Sequence, residues 1–298
     1  MDRTIEYRIP EAFTGARLDA FLRAQGYSGT VLKLLRKDSA LVLLDSVPSR
    51  LVDPVRAGMR LRITIPEEPT GSEVLPEKIP LDVVYEDEDI LLVSKSADMA
   101  IYPTPANPGG TLANACRARY GADFTLRCLG RLDRHTSGLV LIAKNRLSAC
   151  ILTDALHSDG LRRTYIAAVR GLCPAHGTID APIARDPDSI LLRRVDPDGA
   201  RAVTHYERLY CANGYSLVRI VLETGRTHQI RVHMKHIGHP LPGDFLYDPS
   251  PAPIPRPALH AWQLDFVHPV TREKLHFVSP VPRDILAIFD ENNSVSPF

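Results

Sequence analysis

One stretch constrains the fold more than any other. The string Gly130-Arg131-Leu132-Asp133-Arg134-His135-Thr136-Ser137-Gly138 runs without a break into the aliphatic residues 139–143. A glycine-bounded polar string followed by continuous apolar residues predicts a turn that feeds a strand buried on both faces. An aspartate on such a turn is held rigidly while it still faces a cleft. Arg131 and Arg134 flank it, and nearby positive charge favours the ionised form of a carboxylate. An isolated aspartate in a turn more often satisfies turn amides, with residues such as Thr136 and Ser137 in similar roles. The whole nine-residue string argues instead for chemistry at Asp133.

The distribution of charge is compatible with a polyanionic partner and equally with a solvated surface. The formal net charge is only +1. Residues 117–170 nevertheless hold ten basic and four acidic side chains, a local excess of six. Acidic residues collect elsewhere, as in Glu86-Asp87-Glu88-Asp89. A near-neutral chain of this kind can present a basic face to phosphates, although a solvated surface would show the same count. The five cysteines are scattered with no C-x-x-C pair, which fits a reducing cytoplasm and argues against a disulfide framework or a thiolate zinc site. No apolar run is long enough to span a bilayer, and the first ten residues lack the apolar core of a secretion signal.

Two units are expected, a small module over residues 1–70 and a larger domain over 80–290. In the first, Leu18, Phe21 and Leu22 have helical spacing, and Ser28 is placed to cap a second helix carrying Val31, Leu32 and Leu35. Leu61, Ile63 and Ile65 alternate with polar residues, the period of a half-buried strand. The stretch 66–72 is rich in turn formers and reads as a linker. In the second unit, residues 81–85, 90–93, 139–143, 165–169, 217–222 and the alternating Trp262, Leu264 and Phe266 read as strands. Residues 228–236 read as a helix, and Leu286 and Phe289 suggest a short final one. Strands and helices without regular alternation predict an α+β fold, with a mainly antiparallel mixed sheet flanked by helices.

Two further strings stand out. In Thr224-Gly225-Arg226-Thr227-His228-Gln229-Ile230-Arg231-Val232-His233, the glycine permits a tight turn before a helix, and the arginines offer planar donors to a carboxylate or phosphate. His228, His233, His236 and His239 invite a zinc reading, but no H-E-x-x-H pattern and no carboxylate lies within the cluster, so no metal is expected. In Arg162-Arg163-Thr164-Tyr165, the tyrosine either stacks on a nucleobase or fills the core.

In this order, the strings resemble those of the RluA-type pseudouridine synthases. Residues 131–138 match the family's R-L-D-x-x-T-S-G, residues 225–233 its G-R-T-H-Q-I-R-V-H, and residues 238–244 its G-H-P-x-x-G-D. Residues 15–66 resemble the alpha-L RNA-binding module of a small-subunit ribosomal protein. Two departures occur: Lys95-Ser96-Ala97-Asp98 stands where the family usually has Lys-Pro-x-Gly, and Gly130 where it often has histidine.

The resemblance implies an isomerase that detaches uracil from ribose at N1 and reattaches it through C5, without cofactor. It implies Asp133 as the catalytic carboxylate, either attacking the anomeric carbon or taking a proton from the neighbouring ribose carbon. Arg231 would pair with Asp133, and Tyr165 would stack on the base and assist loss of the C5 proton. Arg131, Thr136, Arg226, His228 and Gln229 would contact the substrate, with Arg131 helping to hold the nucleotide out of its stack. The implied partner is RNA, ribosomal first and transfer RNA next, bound by a cytoplasmic monomer. Two rival readings remain at this stage. One is a non-catalytic RNA-binding protein, and the other a hydrolase using Asp133 with a metal or second carboxylate.

Overall fold

The computed structural model describes residues 2–67, 74–121, 123–158 and 160–290. Most of the expected linker, residues 68–72, lies outside them.

The first unit is a four-stranded antiparallel sheet under two short helices. The strand Arg60–Ile65 pairs with Arg3–Arg8 on one side and with Val42–Leu44 on the other. Its alternation is real: Leu61, Ile63 and Ile65 are fully buried, while Arg60 and Arg62 face solvent. The helices Leu18–Ala24 and Gly29–Leu35 cover that sheet, and Ser28 caps the second by accepting from the amide of Val31. Asp45 and Ser46 both take positive φ, as a two-residue hairpin turn of this hand requires.

The second unit is built on one large sheet. From edge to edge its strands are His176–Asp180, Val203–Ala212, Tyr215–Leu222, Leu161–Arg170, Leu259–Val267, Ser137–Ala143, Ile90–Lys95 and Val83–Glu86. Pairing is antiparallel except where Ser137–Ala143 meets Leu259–Val267, the one parallel pair among the described residues. The α+β expectation therefore holds, with helices Leu112–Tyr120, Arg146–His157 and Gln229–His236 packed around the sheet. The predicted buried strand is found at Ser137–Ala143, where all seven residues are buried. Phe289 lies beyond the final helix, Arg283–Leu286, and packs with Ile285 and Ile288.

The parallel join explains the glycine that closes the first string. Gly138 has φ +111°, and a Cβ there would lie 2.2 Å from the carbonyl oxygen of Ala261. Only glycine lets the two strand backbones come this close, so the turn bearing Asp133 is clamped to the centre of the sheet. Beside it, the Oγ of Ser137 meets Nδ1 of buried His260 at 2.9 Å, rather than satisfying a turn amide.

The two units share a core. Leu147, on helix Arg146–His157, is fully buried among the first unit's apolar residues, with Ile151 and Val270 packed beside it. Arg3 forks onto Asp89 at 2.9 and 2.8 Å, and Glu67 meets Arg127 at 2.5 Å. The module is thus docked against the larger domain rather than held only by its connecting chain. No helix among the described residues is long and apolar enough to cross a membrane.

Candidate active site

All eight residues singled out from sequence, Asp133, Tyr165, Arg231, Arg131, Thr136, Arg226, His228 and Gln229, line one cavity of about 1050 Å³. They arrive from different elements. Asp133 sits on the turn before strand Ser137–Ala143, closed by a 3.1 Å bond from the amide of Thr136 to the carbonyl of Asp133. Tyr165 comes from the central strand Leu161–Arg170, and Arg231 from the first turn of helix Gln229–His236.

The cation at Asp133 is Arg231. Its Nη1 donates to Asp133 Oδ2 at 3.1 Å, while its Nε and Nη2 both donate to Asp244 at 2.7 Å. Arg231 and Asp244 are almost wholly buried, whereas the Asp133 side chain keeps 27% of its surface exposed to the cavity. A fork gripped at two nitrogens has little freedom left, so Asp244 fixes where the third donor points. Arg134 donates through Nε to the carbonyl of Asp98, and Arg131 is exposed at the rim.

His228 occupies a left-handed backbone conformation, φ 58°, at the start of the helix. Its Nδ1 lies 2.8 Å from the Tyr247 hydroxyl, and that hydroxyl already accepts from the amide of Arg193 at 2.9 Å. The other ring nitrogen, Nε2, lies 3.8 Å from Asp133 Oδ2. Burial pushes the imidazole pKa below its usual value, against the pull of the Asp133 charge, so the neutral ring is favoured. Tyr247 also lies under the Arg231 guanidinium, 5.0 Å from ring centroid to Cζ.

Gln229 is placed in the cavity wall with its amide fully engaged by the protein. Its Oε1 accepts from Thr224 Oγ1 and the amide of Arg226, and its Nε2 donates to Val203 O and Thr204 Oγ1. It braces the loop that presents Arg226, whose exposed side chain donates to Arg201 O at 3.0 Å. Thr136 is buried beneath the turn, and Tyr165 is 5% exposed, with its ring in the main core and one side on the cavity. Burial raises the Tyr165 phenol pKa and keeps it neutral.

Sequence reasoning quoted Asp244 within a string without giving it a role, and gave none to Tyr247. It also quoted Lys95 without a role, and the Lys95 Nζ donates to the carbonyls of Ser96, Met99 and Arg134 at 2.8, 2.9 and 3.1 Å. Lys95 thereby ties the departing 95–98 loop to the residue next to Asp133. Burial pushes its pKa down to about 7, with the Asp133 charge opposing the shift. All three N–H bonds meet acceptors, a geometry that suits the ammonium form. Asp98 takes the positive φ of 66° at the position where the family usually has glycine. Aspartate tolerates that conformation better than most residues.

The histidines do not converge. His233 is held by Thr204 and Ala181, His239 by the carbonyl of Arg170, and His236 is exposed. The one group of metal-ligand type among the described residues is Asp87, Asp89 and His268, at the junction of the two units. Asp89 there already serves Arg3, Asn145 and Ser148, and His268 Nδ1 accepts the amides of Val270 and Thr271. The cation in that group is the Arg3 guanidinium.

Comparison with known proteins gives this site its class. Residues 89–236 match the family model described as RNA pseudouridylate synthase. The human protein titled RNA Pseudouridylate Synthase Domain Containing 1 has a similar structure, with TM-score 0.55 and 27% identity, over 68% of this chain and 84% of that one. The Bacillus subtilis protein YjbO, described as an uncharacterized RNA pseudouridine synthase, is 43% identical over 244 residues, 80% of this chain and 86% of its own length. Ribosomal large subunit pseudouridine synthase D of Escherichia coli is 35% identical over 302 residues, 95% of this chain and 92% of its own. Fold and sequence thus define an RNA pseudouridine synthase, an isomerase. Within that class the chain belongs to the RluA-type family.

Proposed function

We propose that this enzyme converts uridines of ribosomal RNA to pseudouridine, with Asp133 as its catalytic carboxylate. The observation that carries the reading is the Arg231–Asp133 pair on the wall of a cavity that also presents Tyr165. The ribosomal substrate rests on the large-subunit synthases among the similar proteins. Residues 1–70 act as the RNA-binding module and 80–290 as the catalytic domain, in a cytoplasmic monomer.

The reaction breaks the N1–C1′ bond and forms a C5–C1′ bond, and the proton on C5 is lost. Atoms and electrons balance within the substrate, so no cofactor or metal is called for. Asp133 either adds to C1′ as uracil departs or removes a proton from C2′. Arg231 keeps the carboxylate aimed, and the neutral His228 lies on the same side. The Tyr165 ring stacks on the base, and its hydroxyl assists departure of the C5 proton. Arg131, at the rim, helps to hold the nucleotide out of its stack, while Thr136 and the loop of Arg226 and Gln229 shape the base pocket.

The test is Asp133→Asn. The amide keeps the shape but loses charge and basicity, so pseudouridine formation should stop while affinity for ribosomal RNA stays within a few-fold. Mapping of pseudouridines in ribosomal RNA treated with each protein reads the result. Product formed by the Asn variant would remove Asp133 from the mechanism.

A further inference from the structure

Outside the catalytic cavity, a groove of about 640 Å³ runs along the seam between the two units. One wall is helix Gly29–Leu35 and the residues after it, which contribute Lys33 and Lys37. The other is the helix Arg146–His157, which contributes Arg146 and Cys150, with Arg127 beside it. Lys33 and Lys37 are exposed, and neither is paired with a carboxylate among the described residues. Arg127 and Arg146 both meet Glu67, at 2.5 and 3.9 Å. Asp154 is the one acidic side chain in the lining.

The groove has a fixed relation to the catalytic cavity. Arg146, Ala149, Cys150, Thr153 and Asp154 of helix Arg146–His157 line the groove, while Leu156 and His157, at its C-terminal end, line the cavity. At 1.5 Å per residue, the 12 residues of this helix span about 18 Å. The module cannot drift from this position while Leu147 stays in its core and Arg3 on Asp89.

We propose that this seam groove is a phosphate-backbone site for the substrate RNA. A single strand or one strand of a stem would lie between Lys33 and Lys37 on one side and Arg146 on the other, and follow the helix to the cavity. Both units line the site. The docked module therefore sets the spacing between the held phosphates and the uridine that enters the cavity. This inference rests on the RNA-substrate reading above. Base identity plays no part, since the groove offers cations rather than an ordered set of donors and acceptors.

Two measurements on the full-length protein test it, with in-vitro-transcribed large-subunit ribosomal RNA as the probe. The first is affinity as a function of salt for wild type and the Lys33→Glu/Lys37→Glu double variant. Each lost phosphate contact removes about one unit of log–log salt slope, so the slope should fall by about two and the affinity by at least about tenfold. The second is the alkylation rate of Cys150, a half-buried thiol in the groove, against that of Cys211, which is exposed on strand Val203–Ala212. RNA should slow alkylation at Cys150 and leave Cys211 unaffected. Unchanged salt slope in the double variant, or equal Cys150 alkylation with and without RNA, overturns the proposal. RNA binding is read directly, so the groove stands or falls separately from catalysis by Asp133.

Discussion

Asp244 grips Arg231 through two parallel bonds of 2.7 Å, and only the remaining nitrogen of the guanidinium reaches Asp133. The carboxylate that faces the substrate is therefore set by one that never meets it. Tyr247 completes the arrangement, lying under the guanidinium and meeting Nδ1 of His228.

This relationship makes Asp244→Asn a sharper test of the site than removal of Arg231. Taking one charge from a buried pair generally costs about 3–5 kcal/mol, because the partner is left uncompensated. Denaturant unfolding should show a loss of that order. The variant that remains folded should turn over more slowly by on the order of 100-fold, the usual penalty for misplacing a catalytic group by about 1 Å. RNA affinity should hold, since Asp244 is buried away from phosphates. A full single-turnover rate in Asp244→Asn would mean that Arg231 keeps its aim unaided.

Tyr165→Phe separates the two duties assigned to that ring. The aromatic face remains, so binding should be retained. The hydroxyl is lost, so single-turnover formation of pseudouridine should fall if it assists the C5 proton. An unchanged rate would leave Tyr165 with stacking and packing alone, consistent with its place in the main core.

Much of this site was legible because it is built from short strings. The turn of Asp133, the strand after it and the helix of Arg231 each show in local sequence, and so does the alternation of Leu61, Ile63 and Ile65. What stayed hidden depends on distance along the chain. Nothing local says that Gly138 lies against Ala261, or that Arg231 reaches back 98 positions to Asp133. The helix Leu112–Tyr120 was missed for another reason. Its first six residues are all buried, Asn114 and Arg117 included, so it shows no apolar stripe. The docking of the module was hidden too, since Leu147 looks like any core leucine until its neighbours are known.

Acid should weaken the fold through a histidine on the parallel join. His260 is buried, with Nε2 toward the Ser279 carbonyl and Nδ1 accepting from Ser137. Burial pushes its pKa down to about 4 from the usual 6.5. Above pH 6.5 the ring is neutral in both folded and unfolded chains and stability is indifferent to it. As pH falls toward 4, the unfolded chain takes the proton and the folded one resists, so stability drops, by about 2 kcal/mol at pH 5. His228 and His233 shift in the same direction and add to the loss. Urea unfolding between pH 7.5 and 4.5 measures it. The slope should shrink in His260→Asn, and an undiminished slope would place the acid sensitivity elsewhere.

The shared core at the seam makes a prediction about cooperativity. Leu147 belongs by sequence to the catalytic domain and by packing to the module, where it is fully buried beside Ile151 and Val270. Unfolding either unit exposes apolar surface on the other, so the wild-type chain should melt in one calorimetric transition, with van't Hoff and calorimetric enthalpies equal. Truncating a buried leucine to alanine typically costs about 2–5 kcal/mol, and a buried unpaired carboxylate costs more. Leu147→Asp should therefore detach the module. Its melt should split into a small transition for the module and a larger one for the catalytic domain. The ion pairs of Arg3 with Asp89 and of Glu67 with Arg127 are too polar to hold the seam once the leucine is gone. Two transitions in the wild type would show that the units are independent and that the seam adds little to either. A single transition in Leu147→Asp would show that contacts other than this leucine couple them.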